Sequence, residues 1–162
     1  MGLARSETET TAAKGVEAAA PEADAAAFDV MLEEAEAIIA ELSKQYIPWL
    51  KKDLAEFATL LGPADGVPEL SASQVEGLFA VAHNMKGQGT AFGYPMVSDI
   101  GDIVCKLTRT KEALADLAVD TLRECQEAIE LVAREDIRGD GGQAGRAIVG
   151  MLRTMAEHAE PV

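Results

Sequence analysis

The chain reads as an all-α protein. The expected architecture is an up-and-down antiparallel four-helix bundle with an additional terminal helix, preceded by a disordered N-terminal tail. Three observations predict it. Apolar residues recur at intervals of three and four along most of the chain, and no stretch alternates with the period of two that a strand needs. Of 162 residues 48% are apolar but only 4% are aromatic, a mix that suits packed helices better than a sheet. The segments between periodic stretches are short, which favours antiparallel neighbours.

The elements follow in order. Residues 1–24, MGLARSETETTAAKGVEAAAPEAD, show no apolar period and have the Ala-, Glu- and Thr-rich composition of a disordered tail. The helical domain is expected over residues 25–160. Phe28, Met31, Leu32, Ala35, Ile38, Ile39 and Leu42 step along one face of a first helix. Pro48 should kink or break it, because proline removes a backbone donor and biases Ile47 away from helical geometry. The spacing resumes with Trp49, Leu50, Leu54, Phe57, Leu60 and Leu61, and GPADGVPEL forms a loop.

Two capping boxes compete to start the next helix, Ser73 with Glu76 and Ser71 with Gln74. Val75, Leu78, Phe79, Ala82, Met85 and Phe92 form its apolar side, and its end is expected near Gly93. Pro95 suits the first position of the following helix, which buries Met96, Val97, Ile100, Ile103, Val104 and Leu107. A longer helix is expected from about Lys111 to Arg134, with Leu114, Leu117, Thr121, Leu122, Cys125, Ala128, Ile129 and Val132 inward. RGDGGQAG interrupts the pattern, and a last helix carries Ala147, Ile148, Met151, Leu152 and Met155.

Charge narrows the function. Fourteen basic and 28 acidic residues leave a net charge of −14, which repels nucleic-acid backbones and anionic membranes. No apolar run approaches the ~20 residues of a spanning helix. MGLARS fits a loose myristoylation pattern but has no polybasic support. The two cysteines, Cys105 and Cys125, fall within helical patterns and read as reduced core thiols of a cytoplasmic protein. With His83 and His158 far apart, no metal-ligand spacing appears, and neither metal nor cofactor is expected. His158 reads as a solvated residue.

The unusual stretch is AHNMKGQGTAFG, residues 82–93. It places Gly87 and Gly89 inside a helix, at about 1 kcal/mol each relative to alanine. On a helical wheel the apolar centre falls near Leu78, Ala82, Met85 and Gly89, and His83 lies about 120° away at the border with solvent. Glu76, Ala80, Gly87 and Thr90 stack along its strip, and Lys86 follows one turn on. Between Ser71 and Tyr94 the only charges are Glu76 and Lys86, so the strip looks like a docking face. Imidazole titrates near neutrality, so a ring lone pair is available to attack phosphorus. Lys86 could neutralise charge on the transferring group, and Gly87 could let a bulky donor approach.

His83-x-x-Lys86-Gly87, followed by Gly93 and an apolar helix, resembles the signature of histidine phosphotransfer (HPt) domains of two-component phosphorelays. HNMKGQGTAFGY is similar to the variant in the first domain of chemotaxis histidine kinases. The resemblance covers residues 28–135, and its specific part residues 79–107. It implies His83 as phospho-acceptor, Lys86 as stabiliser of the phosphoryl oxygens and Gly87 as steric clearance. It also implies a histidine kinase and response-regulator receivers as partners, with Mg2+ supplied by the receiver. Gln88 stands where many members have Ser or another small residue. The Gln or Glu that many members use to bond the other ring nitrogen falls by spacing on Cys105. Asp102 lies one turn away and could substitute, with Arg109 on the same stripe. A free motif face favours a monomer.

The chain itself shows no ATP-binding signature, so a phosphorelay carrier is expected rather than a kinase. RGDGGQAG lacks the Lys-Ser/Thr of a P-loop. Two alternatives use the same face: a non-catalytic adaptor that binds receivers, and a receiver phosphatase in which Gln88 or Asp102 orients water. A plain structural bundle is the remaining reading.

Overall fold

The computed structural model describes residues 21–65, 69–109, 114 and 116–159. Every regular element in it is helical: α1 (Pro21–Leu61), α2 (Ala72–Gly89), a 3-10 turn (Thr90–Phe92), α3 (Pro95–Thr108), α4 (Asp116–Glu135) and α5 (Gly142–Ala159). There is no strand among the described residues. None of these helices is long and apolar enough to cross a membrane. The chain divides into two units, residues 1–37 and 38–162.

In the first unit, the described residues 21–37 belong to α1, so residues 21–24 are helical rather than part of a tail. The expected disorder of residues 1–20, and the MGLARS pattern, lie outside the described residues. Phe28, Met31 and Leu32 do not enter a core; they are 64%, 67% and 48% exposed.

The second unit holds the core. Tyr46, Leu50, Leu54, Phe57 and Leu61 of α1 are buried with Leu78, Met85, Met96, Ile100, Leu122, Ile129 and Leu152. Ile38, Ile39, Leu42 and Trp49, expected inside, are exposed. The helix neither ends nor breaks at Pro48. Pro48 lies on the exposed side, where water can serve the carbonyl that its missing N–H leaves free, while Tyr46 and Leu50 anchor the opposite side. Gln74 Nε2 donates to the Leu60 carbonyl (2.9 Å), and Arg123 donates to the carbonyls of Gly62 and Pro63 (3.1 and 2.8 Å), fixing the loop after α1.

α2 packs extensively on α3, and α4 packs on α3 and α5. All six predicted core residues of α3 are buried. On α4 the expected stripe is buried except Leu117, which is exposed, and Leu114, which is half-buried outside the helix. On α5 the buried side is Gly145, Val149, Leu152, Ala156 and Ala159, so the face is turned from the one expected: Ala147 and Met151 are exposed, and Ile148 and Met155 half-buried. Asp140 Oδ1 accepts from the Gly142 N–H (2.9 Å), and α5 starts inside the glycine-rich stretch.

Candidate functional site

The motif helix begins at the second of the two possible boxes. Ser71 is extended (φ −66°, ψ 155°), its side chain accepts from the Gln74 N–H, and Gln74 Oε1 accepts from the Ser71 N–H (3.0 Å). Ser73 is already helical, so Ser73 and Glu76 do not form the cap. α2 ends at Gly89. The chain then makes the 3-10 turn and reverses at Gly93 (φ 87°), a left-handed conformation that glycine adopts readily. Pro95 opens α3.

Aromatic packing seats this turn on α1. Tyr46 lies 5.1 Å from Phe92 and 5.0 Å from Tyr94 between ring centroids, and Trp49 meets Phe92 edge-on at 6.0 Å. The Tyr94 hydroxyl donates to Asp136, Arg138 lies over the Tyr94 ring at 5.2 Å, and the Gly139 N–H donates to the Gly93 carbonyl (2.9 Å). Ser98 fastens the end of α2. Its hydroxyl donates to the Lys86 carbonyl and accepts from the Thr90 N–H, both at 2.8 Å.

The three glycines around the motif differ. A Cβ on Gly87 would meet no atom within 4 Å. A Cβ on Gly89 would lie 2.6 Å from Ser98 Oγ and 2.8 Å from the Tyr94 carbonyl oxygen. Gly89 therefore serves packing, and of the two motif glycines only Gly87 leaves space at the surface. On α3, a Cβ on Gly101 would lie 3.0 Å from both the Ala82 carbonyl oxygen and the Lys86 nitrogen. Gly101 thus brings α3 directly against the backbone beneath His83.

His83 is exposed, as are Glu76, Ala80, Gly87 and Thr90 along its strip. Its ring stacks on Phe79, one turn before it, at 5.9 Å and 16°, a favourable offset geometry for two π systems. No hydrogen bond to either ring nitrogen is present among the described residues. Lys86 turns to α3, where its ammonium lies 2.7 Å from Asp102 Oδ1. Lys106 takes Asp102 Oδ2 at 2.9 Å. These two cations, Lys86 first, hold the Asp102 carboxyl below its ordinary value, and the carboxylate holds the Lys86 ammonium above its own. Asp102 therefore holds Lys86 and Lys106, not the imidazole. Cys105 is buried, and burial pushes its thiol up against the opposing charge of Lys86. Arg109 is exposed at the end of α3.

Gln88 Nε2 donates to Asn84 Oδ1 (2.8 Å), and Asn84 Nδ2 donates to Asp53 Oδ2 (2.9 Å). Trp49, Lys52, Asp53, Asn84 and Gln88 line a shallow recess beside the motif. Phe79, Asn84, Asp53, Ser98 and Gly101 are parts of the site that the sequence motif does not mark. The spacing of Phe79 and His83, four residues apart on one helix, could have revealed the stack. The others depend on which helices meet.

No family model matches the chain, and no curated protein or solved structure matches it either. Among the described residues no group of three or more His, Cys, Asp or Glu could hold a metal ion. The arrangement consists of an exposed imidazole oriented by a ring stack, an ammonium one turn along held by a single carboxylate, and an unobstructed surface at Gly87. It offers a nucleophile, a cation that can be redirected, and room for a large donor.

Proposed function

We propose that this chain is a histidine phosphotransfer protein, with its helices arranged as an up-and-down antiparallel four-helix bundle and an additional terminal helix. His83 accepts a phosphoryl group from the aspartyl phosphate of a receiver domain, or from a histidine kinase, and passes it to another receiver aspartate. The ring lone pair forms the P–N bond as the P–O bond to the donor aspartate breaks. The aspartate leaves as carboxylate, and the proton on the other ring nitrogen is free to leave to solvent. Lys86 moves from Asp102 to the phosphoryl oxygens, where charge accumulates. The receiver supplies Mg2+, and the carrier works as a cytoplasmic monomer.

The observation that carries this reading is the open space at Gly87 beside an exposed, ring-stacked His83. A histidine serving only the fold would not need an unobstructed approach. The occupation of Lys86 by Asp102 favours one second reading, an adaptor that docks receivers without accepting phosphate. Incubation with phosphorylated receivers tests both. Acid-labile, base-stable label on wild type and none on His83→Gln supports transfer; docking with no label supports the adaptor.

A further inference from the structure

α4 and α5 leave an open groove of about 530 Å³ between them. Both helices lie in the unit of residues 38–162. Buried Ala128 and Leu152 form its floor, and half-buried Leu131 and Ile148 its sides. Met151 stands on the α5 side and is 50% exposed. A large apolar side chain at the mouth of an apolar groove is a surface that a docking partner removes from water.

The chemistry of the rim points to the occupant. Glu124, Glu127 and Glu130 line the α4 side, all exposed. None of the three is in an ion pair among the described residues. Gln126 Nε2 donates to Glu130 Oε1 (2.7 Å), a neutral partner that leaves the charge in place. Arg134 also lines the groove, and its Nε is held by Glu135 at 2.9 Å. From Glu124 to Arg134 the α4 side runs about 15 Å, or three helical turns. α4 and α5 satisfy their backbone groups internally, so the groove offers an extended peptide no main-chain pairing. A helix instead presents an apolar stripe with a row of charges beside it. A second copy docking through the same face would set these carboxylates against their own counterparts. An anionic bilayer would be repelled in the same way.

We propose that the α4–α5 groove receives an amphipathic helix of another protein, with Lys or Arg along the edge that meets α4. Contacts with Leu131, Ile148 and Met151 supply affinity, and the carboxylates select the partner and set its orientation. The inference does not depend on the chemistry of His83.

The test uses the full chain and two synthetic peptides of about 18 residues, long enough to form helix on docking. Both carry a Leu stripe at helical spacing; one has Lys beside the stripe, the other Glu. In titration calorimetry the Lys peptide should bind at least about tenfold more tightly, and its affinity should fall as salt rises. Met151→Glu should weaken that binding at least about tenfold, by placing a charge in the apolar contact, while keeping the helical circular dichroism. Mere adsorption onto a chain of net charge −14 would instead persist or strengthen. The Glu124→Lys/Glu127→Lys/Glu130→Lys variant should prefer the Glu peptide, a reversal that loss of folding cannot produce. The Glu33→Lys/Glu34→Lys/Glu36→Lys variant makes the same change of charge on α1 and should keep the wild-type preference. Equal affinity of wild type for both peptides, binding to neither, Lys-peptide binding that survives Met151→Glu, or an equal reversal in the α1 variant would overturn the proposal. So would a wild-type dimer, or attachment to phosphatidylglycerol vesicles, that Met151→Glu abolishes.

Discussion

Lys86 Nζ lies 2.7 Å from Asp102 Oδ1, so α3 holds the cation of the motif in the resting protein. In the proposed transfer through His83, Lys86 would leave that carboxylate. Lys86 is exposed and Asp102 half-buried with its carboxylate still reached by water, where ion pairs are weak, so the restraint is modest. Asp102→Asn should speed phosphoryl acceptance by about two- to fivefold. The measurement is the initial rate of transfer from a phosphorylated receiver. Adding Lys86→Ala should erase the gain; a gain that persists without the lysine would show that Asp102 acts by another route.

His83→Gln should abolish acceptance while leaving stability within about 0.5 kcal/mol, because the side chain is exposed and makes no hydrogen bond among the described residues. Thermal denaturation and transfer assays on the same preparation check both halves. Phe79→Ala should slow transfer without preventing it, since the ring stack orients the imidazole but takes no part in the bond exchange.

The pH behaviour of the pair follows from its shifts. The Asp102 carboxyl is lowered below 3.8 by Lys86 and then Lys106, so the stability it contributes is present above the ordinary carboxylate range. It is lost as pH falls through the lowered midpoint. The Lys86 ammonium is raised above 10.5, so its share is present below the ordinary lysine range and lost as pH rises through the raised midpoint. The bridge therefore spans all of neutral pH. A carbon-detected NMR titration should place the Asp102 midpoint below 3.8 in wild type and higher in Lys86→Met; an unmoved midpoint would remove Lys86 as the principal cause.

Gly89→Ala and Gly101→Ala should each destabilise the fold, by about 1–3 kcal/mol, because the added methyl meets fixed atoms of the α2–α3 contact. Chemical denaturation measures this. At Gly101 the obstructing atoms belong to the backbone of Ala82 and Lys86, so that variant should also disturb the geometry around His83 and slow transfer.

Much of the motif helix is legible in its letters because its determinants are local. Ser71 and Gln74 make a cap within three residues of each other, Pro95 fits the first turn of α3, and the wheel brings His83 and Gly87 to the surface. Long-range placement is less legible. Gly87 and Gly89 look alike until α3 arrives, and the approach of Tyr94 and Ser98 separates them. The spacing from Phe28 to Leu42 shows that one face of α1 is apolar, but periodicity does not say what covers that face. On α5 a glycine-rich start leaves the frame loosely specified, and packing buries Val149 and Ala156 beside the expected Leu152 while Ala147 and Met151 face out. The partner of Asp102 depends on how α2 and α3 align, which neither helix encodes alone.

Gly87 has a consequence for how its role can be detected. With nothing within 4 Å of its missing Cβ, Gly87→Ala should raise the melting temperature, since alanine favours a helix by up to about 1 kcal/mol over glycine. Gly87→Leu should be accommodated by the isolated protein and yet weaken receiver docking; unchanged affinity would refute the clearance argument. A stability screen would then score this glycine as a flaw worth repairing. Its value would appear only when the assay contains a second protein.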